Sequence, residues 1–339
     1  MRILLIKTSS LGDIIHNLPV ASDIARHLPE AQIDWVVEEN FADVPRLHPA
    51  VQRVIPVAIR RWRKALLKQA TWQEIKAMRE LVRGVHYDAV IDTQGLIKSA
   101  WLARKARGVK HGMDNASARE PLAARFYDVR HPVARAEHAV TRNRLLAAAA
   151  LGYTLTGAAD YGLAQAEIAV SPAPTCGKSG VTEGVPVPFV TLLTATSRDD
   201  KLWPEAHWVA LGDWLQQQGF AAQLPAGSAR ERERAERIAG QIPGATVAPP
   251  SSITQLAAAM QPAACVIGVD TGLVHLAAAL GRPTVALYCA SVPALTGVMP
   301  DVRCPNGALN LGEAGAPPSV AQTIAAVSRL LPQLRQPPT

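Results

Sequence analysis

Short apolar runs alternate with amphipathic stretches along most of the chain. Apolar runs of strand length, separated by segments of helical period, are the pattern of parallel α/β architecture, in which strands are covered on both faces. In the first half, residues 3–7 read as a buried strand, followed by a turn at 8–12 and a helix from Asp13. Residues 33–37, 51–57 and 89–92 read as further strands, with a helix across 72–83. Residues 161–188 break this rhythm with Pro172, Pro174, Gly177, Gly180, Gly184, Pro186 and Pro188, the composition of a linker. Beyond it the alternation restarts. Strands are expected at 189–193, 222–224, 265–269 and 284–288, and helices at 205–218, 229–239 and 272–280. After Pro300 a Gly/Pro-rich stretch leads to a last helix at 320–331. No repeat at solenoid periods is visible. The expectation is two doubly wound, Rossmann-like domains facing a central cleft, with ligands at the C-terminal ends of the strands. The first domain would span residues 1–170, the linker 171–187, the second domain 188–318, and a terminal helix and tail 319–339.

Composition narrows the classes. With 339 residues, 48% hydrophobic and 19% charged, the chain is long enough for two cores and is not a disordered polymer. No run approaches the ~18 apolar residues of a membrane span. The opening MRILLIK is too short an apolar run for a secretory signal, so a soluble cytoplasmic protein is expected. Cys176, Cys265, Cys289 and Cys304 show neither CxxC nor zinc spacing and read as reduced structural thiols. The glycosylation sequon at Asn115 should be inert in that setting.

Charge adds a direction. The formal net charge is +7, and all of it belongs to one half: residues 1–170 carry 24 basic and 17 acidic side chains, residues 171–339 eleven of each. Between Asp43 and Glu74 lie Arg46, Arg53, Arg60, Arg61, Arg63, Lys64 and Lys68 without one acid. Such asymmetry suits an anionic partner: nucleic acid, a membrane surface or a phosphorylated substrate. A merely solvated basic surface explains scattered charges better than the run at residues 60–64.

Three segments carry candidate chemistry. Lys7-Thr8-Ser9-Ser10-Leu11-Gly12-Asp13 follows the first strand, where small residues and a glycine allow a sharp turn into a helix. By position alone, Asp13 is first a helix cap. A carboxylate at a strand end also sits where a general base would act. The turn is not GxGxxG, which argues against a dinucleotide site. Thr194–Pro204 follows the strand at 189–193, and its Thr196, Ser197 and Lys201 suit phosphate oxygens. The alternative there is a solvated turn in which Asp199 or Asp200 pairs with Lys201. Gly268–Leu276 ends a strand and opens a helix through Asp270-Thr271-Gly272, with either Asp270 or Thr271 as cap. Its amides and dipole favour a phosphate. His275, alone in the first turn, is more simply structural. Gly177-Lys178-Ser179 ends like a P-loop, but Pro172 stands where the glycine is required, so it reads as loop.

Together these segments resemble a known family. KTSSLGDIIHNLP (7–19), DWVVEE (34–39), RVIPVAIRRWRK (53–64), YDAVIDTQGLIKSA (87–100), HGMD (111–114), ARE (118–120), TSRDDKLWP (196–204) and VDTGLVHLAAAL (269–280) are similar to the heptosyltransferases of glycosyltransferase family 9, of GT-B fold. The likeness covers nearly the whole chain and is weakest in the linker and after Ala290. VVEE, RRWRK and AREPLA lie nearer the subgroup that adds the first core heptose than the one that adds the second.

The resemblance implies transfer of L-glycero-D-manno-heptose from ADP-heptose to the inner Kdo of Kdo-lipid A, with inversion. Asp13 then matches the catalytic base, against the capping preference. Lys201 matches the lysine on the donor and its diphosphate. Thr196, Ser197, Thr271, Gly272 and His275 match phosphate-side contacts, Asp270 the donor-sugar contact, and Glu231 the acid on the ribose. Glu231 also reads as a solvated helix residue, because Glu233 and Glu236 are near. Ser197 and Ala226 depart from the family pattern, which has Thr and a Trp-Gly there. Ser10, Arg60, Arg61, Arg63, Lys64, Lys98 and Arg119 fall on the acceptor side. Neither metal nor cofactor is called for: Lys201 and helix amides can hold diphosphate charge, and no carboxylate cluster suits magnesium. The expected protein is a monomer, peripheral on the cytoplasmic face of the inner membrane and without nucleic acid. Two alternatives stand beside it: a family member with another acceptor, and a non-catalytic binder of anionic lipid or nucleic acid.

Overall fold

The computed structural model describes residues 1–163 and 187–331. The chain divides into two compact units, Met1–Ala166 and Glu167–Thr339. The proposed linker, apart from residue 187, lies outside the described residues, as do Cys176, the Gly177-Lys178-Ser179 segment and the tail beyond residue 331.

The first unit is one parallel sheet of six strands: β1 (Arg2–Ile6), β2 (Gln32–Glu38), β3 (Val51–Val57), β4 (His86–Asp92), β5 (Arg107–Met113) and β6 (Val129–His131), in the order β3-β2-β1-β4-β5-β6. β1 is central, and Ile3, Leu4, Leu5 and Ile6 are all fully buried, as a strand covered on both faces requires. The second unit repeats the plan with β7 (Phe189–Leu193), β8 (Ala221–Leu224), β9 (Thr246–Val247), β10 (Cys265–Val269), β11 (Thr284–Leu287) and β12 (Ala308–Leu311), in the order β12-β11-β10-β7-β8-β9. Counted within each unit, both sheets run 3-2-1-4-5-6. The direction of winding therefore reverses between β1 and β4, and again between β7 and β10. Loops leaving the C-terminal ends of those strand pairs diverge and leave a crevice.

Several differences from the sequence pattern have physical causes. The first helix, Leu11–Ile15, begins two residues before Asp13, with Ser10 as N-cap. Strands β5, β6, β9 and β12 escape the pattern because they are short, polar or near an edge. β5 reads Arg-Gly-Val-Lys-His-Gly-Met, and β12 lies inside the Gly/Pro-rich stretch after Pro300. Two glycines record close packing. A Cβ on Gly112 would lie 2.2 Å from the Tyr127 ring, and one on Gly268 2.8 Å from the Leu193 Cβ. Cys265 is buried, and burial pushes its thiol up to about 12, as befits a structural cysteine. No helix among the described residues is long and apolar enough to cross a membrane.

Candidate active site

Each unit gathers polar side chains at its switch point. In the first, the loop after β1 is clamped from β4. The Gln94 Oε1 accepts from the Thr8 amide at 3.0 Å and the Ser9 amide at 3.2 Å, while the Gln94 amide donates to Asp92 at 2.9 Å. Lys7 is buried and donates to the Thr93 carbonyl at 2.9 Å. Burial lowers its pKa, against the opposing pull of Asp13 and Asp92. The loop so held delivers Asp13 into the first turn of helix Leu11–Ile15, where its Oδ2 accepts from the Ser10 amide at 2.7 Å and faces the Ser10 hydroxyl at 3.3 Å. Asp13 is therefore the N3 member of a capping box, not the N-cap. Only Oδ2 is used; Oδ1 makes no hydrogen bond among the described residues. The carboxylate can hold the loop with one oxygen and present the other.

Basic residues surround this loop. Lys98 donates to the Ser9 hydroxyl at 3.0 Å. Burial lowers the pKa of Lys98, and Arg60, Arg119 and Arg63 add to the effect against the pull of Glu38, so all five groups lie within electrostatic reach. Glu38, buried at the end of β2, accepts from the Arg60 amide at 2.9 Å through Oε1. Arg119 is exposed on a loop braced by Arg135 and Arg142, which donate to the carbonyls of Ala118 and Ser117, each at 2.5 Å. Arg61 differs from its neighbours. It is engaged by Glu39 at 3.0 Å and Glu74 at 2.9 Å. Arg63 and Lys64 are exposed.

In the second unit, Lys201 reaches across the switch point from the loop after β7 to Asp270 after β10, at 2.6 Å. Thr196 donates to the Asp270 carbonyl at 2.8 Å, and Ser291 to its Oδ2 at 2.5 Å. Burial alone would raise the Asp270 pKa. Hydrogen bonds from Lys201 and Ser291, with the positive fields of Lys201 and His275, outweigh it and hold the carboxyl below its ordinary value. The alternative of a local Lys201 pair is not what forms: Asp200 pairs with Arg198, and Asp199 with Arg230 at 2.8 Å. Arg234 buttresses the loop, donating to the carbonyls of Thr194 at 3.3 Å and Trp203 at 2.6 Å. Ser197 is exposed on it.

Helix Gly272–Ala279 starts beside this pair. Thr271 holds its N-cap position, but no side chain makes the capping bond, which leaves the leading amides to another acceptor. His275 is buried in this helix. Glu231 is also an N3 capping residue, accepting from the Gly227 amide at 2.8 Å and the Ser228 amide at 3.0 Å. Among the described residues no group of three or more His, Cys, Asp or Glu side chains could hold a metal ion. The sequence reading did not single out Gln94, Glu38 or Ser291. Their importance comes from what they touch, which no local pattern announces.

Taken with the topology, these strand-end clusters place the chain among doubly wound α/β proteins with polar side chains gathered at each switch point. Comparison with known proteins gives the family. Residues 75–310 match the model for glycosyltransferase family 9 (heptosyltransferase). The chain is 46% identical over 299 residues to lipopolysaccharide heptosyltransferase 1 of Escherichia coli K12, covering 88% of this chain and 90% of that one. It is 47% identical over 302 residues to the Pseudomonas aeruginosa protein of the same name, covering 88% and 81%. It is also similar to the solved structure of E. coli heptosyltransferase WaaC with ADP, with a TM-score of 0.86 and 42% identity over 98% of this chain and 100% of that one. The chain belongs to glycosyltransferase family 9, and its two six-stranded parallel sheets are those of the GT-B fold.

Proposed function

We propose that the enzyme transfers L-glycero-D-manno-heptose from ADP-heptose to the inner Kdo of Kdo-lipid A, with inversion. The observation that carries this reading is the Lys201–Asp270 pair beside the uncapped helix at Gly272, a ready receptor for a sugar diphosphate. A relative of similar fold was solved with ADP-2-deoxy-2-fluoro heptose, at a TM-score of 0.83 and 42% identity. The acceptor assignment rests on the relatives. Likeness to the heptosyltransferase 1 proteins runs over 88% of the chain, whereas that to Salmonella typhimurium heptosyltransferase 2 is 37% over 102 residues, 28% of the chain.

In this reading Asp13 takes the proton of the Kdo hydroxyl through Oδ1 as the hydroxyl oxygen bonds to the anomeric carbon. The bond from the anomeric carbon to the β-phosphate oxygen breaks, and its electron pair leaves with ADP. General-base help of this kind contributes ~10²–10⁴-fold. Lys201, the Gly272 amide end, Thr196, Ser197, Thr271 and His275 receive the charge growing on the diphosphate. Asp270 holds Lys201 and contacts the heptose, and Glu231 contacts the ribose. Ser10, Arg60, Arg61, Arg63, Lys64, Lys98 and Arg119 take the phosphates and carboxylates of the acceptor. The enzyme works as a monomer on the cytoplasmic face of the inner membrane. The test is ADP release from ADP-heptose, with and without Kdo-lipid A lacking heptose. Release that depends on this acceptor supports the reading; release only with an acceptor already carrying heptose refutes it.

A further inference from the structure

The segment after β3, at the edge of the first sheet, is more than a basic run. The structure sorts its charges. Arg61 is engaged by Glu39 and Glu74, and Arg60 lies over the Phe41 ring at 5.4 Å with its amide on Glu38. Arg63, Lys64 and Lys68 are exposed and form no ion pair among the described residues. Between them stand two large apolar side chains in the open, Leu66 at 51% exposure and Leu67 fully exposed, with Trp72 at 58% close behind. Leaving two adjacent leucines and a tryptophan in water is unfavourable unless something covers them.

This wedge is braced from within. Trp62 is buried and donates to Glu74 at 2.6 Å. The Thr71 hydroxyl donates to the Ala65 carbonyl at 2.8 Å, and the Trp72 indole to the Leu66 carbonyl, also at 2.8 Å. Its apolar tip is thus presented in a fixed shape, so little ordering is needed on docking. Leucines at a tip, a tryptophan whose N–H is satisfied and a collar of cations match the layers of an anionic membrane: acyl boundary, headgroup and phosphate.

We propose that residues 63–72 dock into the interface of an anionic lipid bilayer. Leu66, Leu67 and Trp72 enter the boundary between headgroups and acyl chains, while Lys68 meets lipid phosphates beside Arg63 and Lys64, which stay with the acceptor. The inference builds on the lipid-borne acceptor proposed above, and the docking surface adjoins the Arg60–Arg63–Lys98 cluster assigned to it. The bilayer itself, not the acceptor headgroup, is the ligand.

The experiment is co-sedimentation with vesicles of phosphatidylcholine alone or mixed with phosphatidylglycerol, without donor or acceptor. Wild type is expected to bind the mixed vesicles, and the Trp72→Phe difference in fluorescence should show a blue shift on binding. Leu66→Ser/Leu67→Ser is expected to weaken that binding about tenfold. The same variant should keep wild-type turnover on a deacylated, soluble acceptor and lose it on acceptor carried in vesicles. Lys68→Glu should weaken binding as well. Three results overturn the proposal: no wild-type binding to the mixed, acceptor-free vesicles, equal binding by the double variant, or loss in Lys68→Glu alone. Because binding is read without substrates, failure of heptose transfer leaves this result standing.

Discussion

Lys201 and Asp270 are 69 residues apart in the chain, yet their side chains meet at 2.6 Å at the reversal point of the second sheet. The pair is three-quarters or more buried at both ends, so it is not an ordinary surface ion pair. Asp270 fixes Lys201 at the mouth of an uncapped helix, where an incoming diphosphate would compete for the same ammonium.

Lys201→Ala should lower kcat by roughly 10²–10³-fold, the usual loss of one charge-stabilising donor. It should also lower stability by about 1–3 kcal/mol, because Asp270 keeps only Ser291 among these side chains. Steady-state kinetics and thermal unfolding together read both effects. Near-normal kcat would remove Lys201 from the transition state.

Asp13 caps its helix through Oδ2, and two variants separate that contact from the proposed base role of Oδ1. Asp13→Asn retains an acceptor for the Ser10 amide but cannot take a proton. Turnover should fall by ~10²–10⁴-fold with little change in melting temperature. Asp13→Ala loses the capping box too and should melt lower, by about 1 kcal/mol of stability. If Asp13→Asn turns over normally, the base lies elsewhere.

Gln94 holds the loop that leads to Asp13 through the Thr8 and Ser9 amides. Gln94→Ala leaves the buried amides of Thr8 and Ser9 without their acceptor, which should cost about 2–4 kcal/mol and reduce kcat more than it raises either KM. Gln94→Glu, which keeps an acceptor oxygen at the same reach, should recover much of the lost kcat. A merely structural role would lower stability while leaving the kinetics of the folded fraction unchanged.

His48 supplies the pH dependence. It is buried with Ser22 at 2.9 Å from Nε2 and the Ala50 amide donating to Nδ1 at 3.2 Å, and burial holds its pKa down to about 4. The folded state therefore binds fewer protons than the unfolded one between the two values. The stabilisation is complete above about pH 6.5, the unfolded value, and is lost as pH falls towards 4. Thermal unfolding of wild type should fall across that window by about 3 kcal/mol of stability, and His48→Gln should flatten the slope. An unchanged slope in the variant would assign the acid sensitivity to other groups.

Much of the fold is written locally. Phe189–Leu193, Cys265–Val269 and helix Ala229–Ala239 coincide with their expected positions, because continuous apolar runs and a charged amphipathic stretch are unambiguous over short windows. β5 and β12 are not legible in this way. The polar, glycine-containing β5 and the four-residue β12, set in a Gly/Pro-rich stretch, become strands only when a neighbouring sheet edge offers backbone partners. The chemistry follows the same division.

By itself, the sequence determined the α/β class, the basic bias of the first half and the residue types available at the strand ends. It also carried motifs long enough to mark the glycosyltransferase family. The tertiary structure decided the partnerships. Lys201 pairs with Asp270 instead of Asp199 or Asp200, Arg61 is taken by Glu39 and Glu74 while Arg63 and Lys68 stay exposed, and Gln94 grips the loop of Asp13. The reason is geometric: a parallel sheet joins strands that are distant in the chain, so which charge meets which is set by strand order, and no local window contains it.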